Sequence, residues 1–177
     1  MSNLPDLPVL VLRRGEERRL RAGHLWVFSN EVDVARTPLT GFQPGDPVMI
    51  VEAGGKPVGT GYVNPSTLIA ARLVDRAGHA LDRSLVVHRL KVALSLRQRL
   101  FAEPYYRLVF GESDGLPGLT VERFGDVVGS DSIGGIKIGD GARDFEYLGD
   151  RTSGKSPSCR GCFKKLKRGI ARTHSGP

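Results

Sequence analysis

Five guanidinium groups fall within nine residues near the amino end, Arg13, Arg14, Arg18, Arg19 and Arg21, opposed in that stretch only by Glu16 and Glu17. So dense a cluster cannot turn away from one side of a domain. A guanidinium fork matches phosphate oxygens and stacks on splayed bases, so the chemistry it offers is recognition of a polyanion, nucleic acid above all. Lys56 and Arg72 are read as extensions of the same face, and His24 as a further contact or as the residue that closes a turn. Trp26 is read as core, the usual place of a tryptophan on a barrel strand. Glu112 and Asp114 could form an acid–base pair, but they stand in a run of Gly and Pro where carboxylates more often serve the backbone. Cys159 and Cys162, with His174 as a third ligand, fall one short of the four that tetrahedral zinc takes, so no metal is expected. No catalytic residue is assigned. The basic run Phe163-Lys164-Lys165-Leu166-Lys167-Arg168 is read as a solvated stretch or a non-specific phosphate contact.

The overall charge adds little to this. Of the formal +7, residues 1–126 supply 16 Lys plus Arg against 14 Asp plus Glu, while residues 127–177 supply 10 against 5. Any nucleic-acid reading therefore rests on the local cluster. A hydrophobic content of 40% is enough for a core, and neither an apolar run of membrane length nor a leader pattern stands in the sequence, so a cytoplasmic chain without a membrane partner is expected.

The elements that would position the cluster are short. Val9 to Leu12 reads as a strand, Gly15 to Arg21 as one or two helical turns closed by Ala22-Gly23, and Trp26 to Ser29 as another strand. Val48–Val51 and Val58–Val63 flank Gly54-Gly55 as a tight hairpin, and Leu68–Val74 follows the Asn64–Thr67 turn. Close strand spacing with one short helix predicts a small, partly closed barrel. Leu81 to Phe101 then carries apolar residues at Leu81, Leu85, Leu90, Leu94 and Phe101, broadened by Val86, Val87, Ala93 and Leu100. That is an amphipathic helix capped by Asp82 and stopped before Pro104. Strands over Tyr105–Phe110 and Leu119–Phe124 enclose a turn-rich Gly111–Gly118.

Three stretches, Leu20-Arg21-Ala22-Gly23-His24-Leu25-Trp26-Val27-Phe28-Ser29-Asn30-Glu31-Val32, Gly45-Asp46-Pro47-Val48 and Gly59-Thr60-Gly61-Tyr62-Val63-Asn64-Pro65, resemble the PUA domain that opens the large-subunit (23S) ribosomal RNA cytosine-C5 methyltransferases. Leu25 stands where that family has proline. Gly111-Glu112-Ser113-Asp114-Gly115-Leu116-Pro117-Gly118, with Tyr106–Val109 and Val121–Asp126 on its flanks, is similar to the linking domain of the same family. The resemblance runs from about residue 8 to 128. It implies a small RNA-binding β-barrel, with ribosomal RNA as partner and Arg13, Arg14, Arg18, Arg19, Arg21, His24, Lys56 and Arg72 as its candidate contacts.

The fold class expected is mainly β with α. Residues 1–76 are the PUA-like barrel, 77–128 the helix and hairpin that begin an α+β linking domain, and 129–177 a low-order basic tail rich in Gly, Ser and Lys. The pattern stops after Val128. The complete family uses S-adenosylmethionine in a Rossmann-like domain, which needs strand, glycine turn and helix in succession; Gly134-Gly135 and Gly139-Asp140-Gly141 lack that setting. A chain without its own methyl-donor site, inactive by itself, is expected, as an RNA-binding module. The alternatives are a component that acts with a separately encoded methyltransferase chain, and the unstable product of a disrupted gene.

Overall fold

The computed structural model describes residues 6–132 and 164–165. Its first half is a curled sheet of five strands, β1 (Val9–Val11), β2 (Trp26–Phe28), β3 (Pro47–Val51), β4 (Pro57–Val63) and β5 (Ile69–Asp75), in the order β1-β3-β4-β5-β2. Neighbours run antiparallel except β1, which pairs parallel with β3 in the register Val9↔Met49. The sheet then curls far enough for its two edges to meet. Leu12 bridges Val32, the Asp33 amide donates to the Val11 carbonyl at 2.9 Å, and the Arg13 amide donates to the Glu31 carbonyl at 2.8 Å.

Strand alternation decides what lies inside the curl. Val48 and Ile50 of β3 form one buried cluster with Leu10, Leu12, Val27, Val32, Val63, Ala70, Ala71 and Leu73. Met49 and Val51, on the other face, pack with Val11 into a small separate cluster. At Gly61 the strands come too close for any side chain: a Cβ built there would stand 2.3 Å from the Arg72 carbonyl oxygen.

A short helix, α1 (Glu17–Arg21), follows β1 and buries a single residue, Leu20, in the barrel core. Gly23 ends it at φ +116°, a conformation costly for other residues, and sends the chain into β2. Two 3-10 turns, Ser29–Glu31 and Leu39–Gly41, carry the chain from β2 to β3.

The second half is a helix on an antiparallel sheet. α2 (Arg83–Leu100) begins at Asp82, whose Oδ1 accepts from the Leu85 amide at 2.9 Å. Val86 and Ala93 of α2 pack on Val109, Leu116, Leu119 and Val121. The strands β6 (Tyr105–Phe110), β7 (Leu119–Phe124), β8 (Val127–Ser132) and β9 (Lys164–Lys165) lie in that order. The expected apolar stripe is wider than the one the sheet covers. Val87, Leu100 and Phe101 are exposed, because the helical period puts only the Val86–Leu90–Ala93 line against the sheet and the chain is extended again at Phe101. β8 also extends four residues beyond Val128, into the stretch expected to lack order, and pairs with β7 along its length. The remainder of the expected tail, with Cys159, Cys162 and His174, lies outside the described residues. No described helix is long and apolar enough to cross a membrane.

Buried and half-buried bonds tie the halves together. The Tyr62 hydroxyl on β4 donates to the Pro117 carbonyl at 2.8 Å, and Asp75 at the end of β5 holds Arg89 of α2 at 3.3 Å. Arg89 also donates to the Gly115 carbonyl.

Candidate nucleic-acid interface

The way α1 sits sorts its arginines. With Leu20 turned inward, Arg18 lies about 200° round the helix and faces away from the barrel. Arg13, Arg14 and Arg18 are exposed, and none makes an ion pair with a described residue. Arg19 and Arg21 are committed elsewhere. Arg19 bonds Glu31, whose carboxylate is largely buried and also accepts from the Phe28 amide at 2.8 Å, and its guanidinium lies 5.0 Å from the Phe28 ring centre. Arg21 reaches Glu52 at 2.5 Å.

That last pair brings a second element to the surface. Glu52 begins the turn between β3 and β4, where its amide donates to the Lys56 carbonyl, so exposed Lys56 stands beside α1. Arg36, absent from the sequence-based candidates, joins the same turn by donating to the Ala53 carbonyl at 2.7 Å. Arg76 was missed too: it donates to the Leu20 carbonyl and, at 3.1 Å, to that of His24, placing a cation at the carboxyl end of α1. Neither has a local sequence signal, since only the folded chain carries Arg36 to the β3–β4 turn and Arg76 back to α1. His24 is exposed just beyond the helix.

Arg72 does not share this face. It is 7% exposed, with its guanidinium 6.0 Å from the Tyr62 ring centre and its Nε 4.0 Å from Glu112. Its strand partner across β2 is Trp26, and here the expectation of a core tryptophan fails: Trp26 is 41% exposed. The cause is position. β2 is an edge strand, and alternation that turns Val27 into the barrel turns Trp26 out of it. Its indole N–H donates to Glu112 Oε1 at 2.6 Å.

Glu112 and Asp114 do not form an acid–base pair. Asp114 accepts from both terminal nitrogens of Arg97 at 2.6 Å and from the Phe110 amide at 2.7 Å, a set that fixes the turn, while Glu112 faces the barrel. Burial pushes the Tyr62 phenol well above its ordinary pKa; Arg72 opposes that rise and Glu112 adds to it. Burial lowers Arg89, and Asp75 opposes that.

The second sheet does not have the layout that holds a methyl donor. At the start of α1 the Glu17 carboxylate accepts from the Gly15 amide, and at the start of α2 Asp82 accepts from the Leu85 amide. The second sheet is antiparallel and has no βαβ crossover among the described residues. Gly134, Gly135, Gly139 and Gly141 lie outside them. No group of His, Cys, Asp or Glu suited to a metal stands among the described residues.

Residues 10–76 match the family described as PUA-like domain. Over 129 residues, 70% of this chain, the sequence is 39% identical to ribosomal RNA large subunit methyltransferase I of Salmonella gallinarum and 38% identical to the protein of that name from Salmonella arizonae. The alignment takes in 31% of each, so the chain spans about a third of the length of these curated relatives. A solved chain described as a SAM-dependent methyltransferase from Streptococcus mutans superposes with a TM-score of 0.62 at 16% identity, over 73% of this chain and 34% of that one. A methyltransferase structure containing SAH gives the same score and identity over 33% of its length. At that identity the likeness is one of fold.

Proposed function

We propose that this chain, which carries the PUA-like domain and the start of the linking domain of the large-subunit ribosomal RNA methyltransferases, binds ribosomal RNA through the face built around α1. The observation that carries the reading is the exposure of Arg13, Arg14 and Arg18 on a PUA-like barrel, beside Lys56, Arg36 and Arg76. Cations carried on a short helix and the turns beside it grip phosphates, and binding then releases counterions from the RNA. In this reading the chain presents RNA, and methyl transfer belongs to a donor-binding domain that the described residues do not build.

The test is the salt dependence of binding. The full chain is titrated onto fragments of large-subunit ribosomal RNA at several salt concentrations. Each lost phosphate contact lowers the slope of log K against log salt by roughly 0.7 for single strands, so Arg13→Ala, Arg14→Ala and Arg18→Ala together are expected to flatten it by about 2 and to weaken binding across sequences. Affinity and slope identical to the parent chain would overturn the reading.

A second reading, in which a separately encoded methyltransferase chain completes the enzyme, draws support from the exposed line Val92, Leu96 and Leu100 on α2. Leu96→Lys would then abolish association with such a chain and leave RNA affinity as it was.

A further inference from the structure

We infer that Trp26 is a base-stacking platform, on which one unpaired nucleotide of the bound RNA lies flat at the junction of the barrel and the second sheet. The inference rests on the RNA-binding reading and adds a second kind of contact to it.

Three features of the junction support it. A tryptophan left 41% exposed on an edge strand contributes little to the core, so its burial energy is available to a ligand. The ring is also held still. Its N–H is bonded to Glu112 at 2.6 Å, Glu112 faces Arg72 at 4.0 Å, and Arg72 is wedged against Tyr62, whose hydroxyl is bonded to Pro117. A platform fixed before binding loses little side-chain entropy when a ligand arrives.

The third feature is chemical. The one hydrogen-bonding group of the indole is taken by a protein carboxylate, so the ring has only its π surface and carbon edge to offer. That suits a flat aromatic partner and reads no donor or acceptor pattern. A nucleobase meets the requirement whatever its sequence. A phosphate does not, because the nearest charge to the ring is the Glu112 carboxylate, and Arg72, the cation beside it, is buried. Phosphates are expected instead along α1, which leads through exposed His24 into the strand that carries Trp26. The two contacts therefore lie along one path, with the backbone gripped at α1 and a base stacked at β2.

Trp26 is the single tryptophan of the chain, so its own fluorescence reports the contact. The full chain is titrated with a single-stranded ribosomal RNA fragment and, in parallel, with an abasic strand of equal length and charge. The expected result is that both bind with similar salt dependence and only the base-bearing strand quenches the emission. Trp26→Ala should lose about 5- to 150-fold in affinity for the base-bearing strand and none for the abasic one, while Trp26→Phe keeps part of the difference. Circular dichroism and thermal melting check that each variant is folded. Glu112→Gln, which keeps an acceptor for the indole, should quench as the parent does.

RNA binding that leaves the parent's emission unchanged, or an affinity of Trp26→Ala equal to the parent's, would overturn the platform and leave the α1 face standing. Equal quenching by the abasic strand would overturn it as well. Binding of neither strand would remove the RNA reading and the platform together.

Discussion

Arg18 and Arg19 are neighbours of one residue type, and the fold separates their roles. Arg18 faces solvent, whereas Arg19 neutralises the largely buried carboxylate of Glu31, which also holds the Phe28 amide where β2 ends. Removing one partner of such a pair leaves a charge without compensation. Arg19→Ala is therefore expected to destabilise the chain by roughly 1–3 kcal/mol, and Arg18→Ala to stay within about 0.5 kcal/mol of the parent. Urea unfolding of the two variants measures the difference, and equal stabilities would contradict the assignment. The sequence showed that a basic cluster exists, because composition is local. It could not show which arginines are spent on the protein, because Glu31 and Glu52 reach them only through the fold. Trp26 makes the same point from the other side: residue type favoured a core position, and only the place of β2 at the sheet edge makes it a surface.

Elements were legible in proportion to how local their signals are. The cap of α2 by Asp82 and the hairpin of β3 and β4 follow from neighbouring residues, and both stand where the sequence puts them. The join between the two halves has no such signal, since Tyr62 and Pro117 meet across 55 residues. That bond supplies a test by pH. The Tyr62 phenol is raised by burial in the folded chain and returns to its ordinary value, near 10, on unfolding. Folding thus favours the protonated form: its contribution is complete below pH about 10 and is lost as pH rises toward the folded value. Tyr62→Phe is expected to cost about 1–2 kcal/mol at neutral pH by leaving the Pro117 carbonyl unpaired. It should also lose less stability than the parent between neutrality and pH about 11. Parallel stability curves for the two proteins would show that this phenol does not titrate on unfolding.

Across the whole molecule, the mainly β class with a curled barrel was legible from strand spacing, but the order of strands was not. The parallel partnership of β1 with β3 matches residues forty positions apart, Val9 with Met49, and no periodicity announces it. It has a consequence in time. The ladder that β1 forms with β3 cannot be completed until Val51 has been made, which at ordinary rates of synthesis is roughly 2–8 s after β1. During that wait Leu10 and Leu12, which finish in the core, lack Val48, Ile50 and the β4 and β5 residues of their cluster, and joining them to the sheet closes a long loop at an entropic cost. Docking of β1 is then expected after the folding barrier, so Leu10→Ala should raise the unfolding rate and leave the refolding rate near that of the parent, as stopped-flow measurements would show. An equal slowing of refolding would mean that β1 docks early. With late docking, the final step of folding is also the one that joins Arg13 to the Glu31 carbonyl, so the position of Arg13 is fixed only when the barrel shuts.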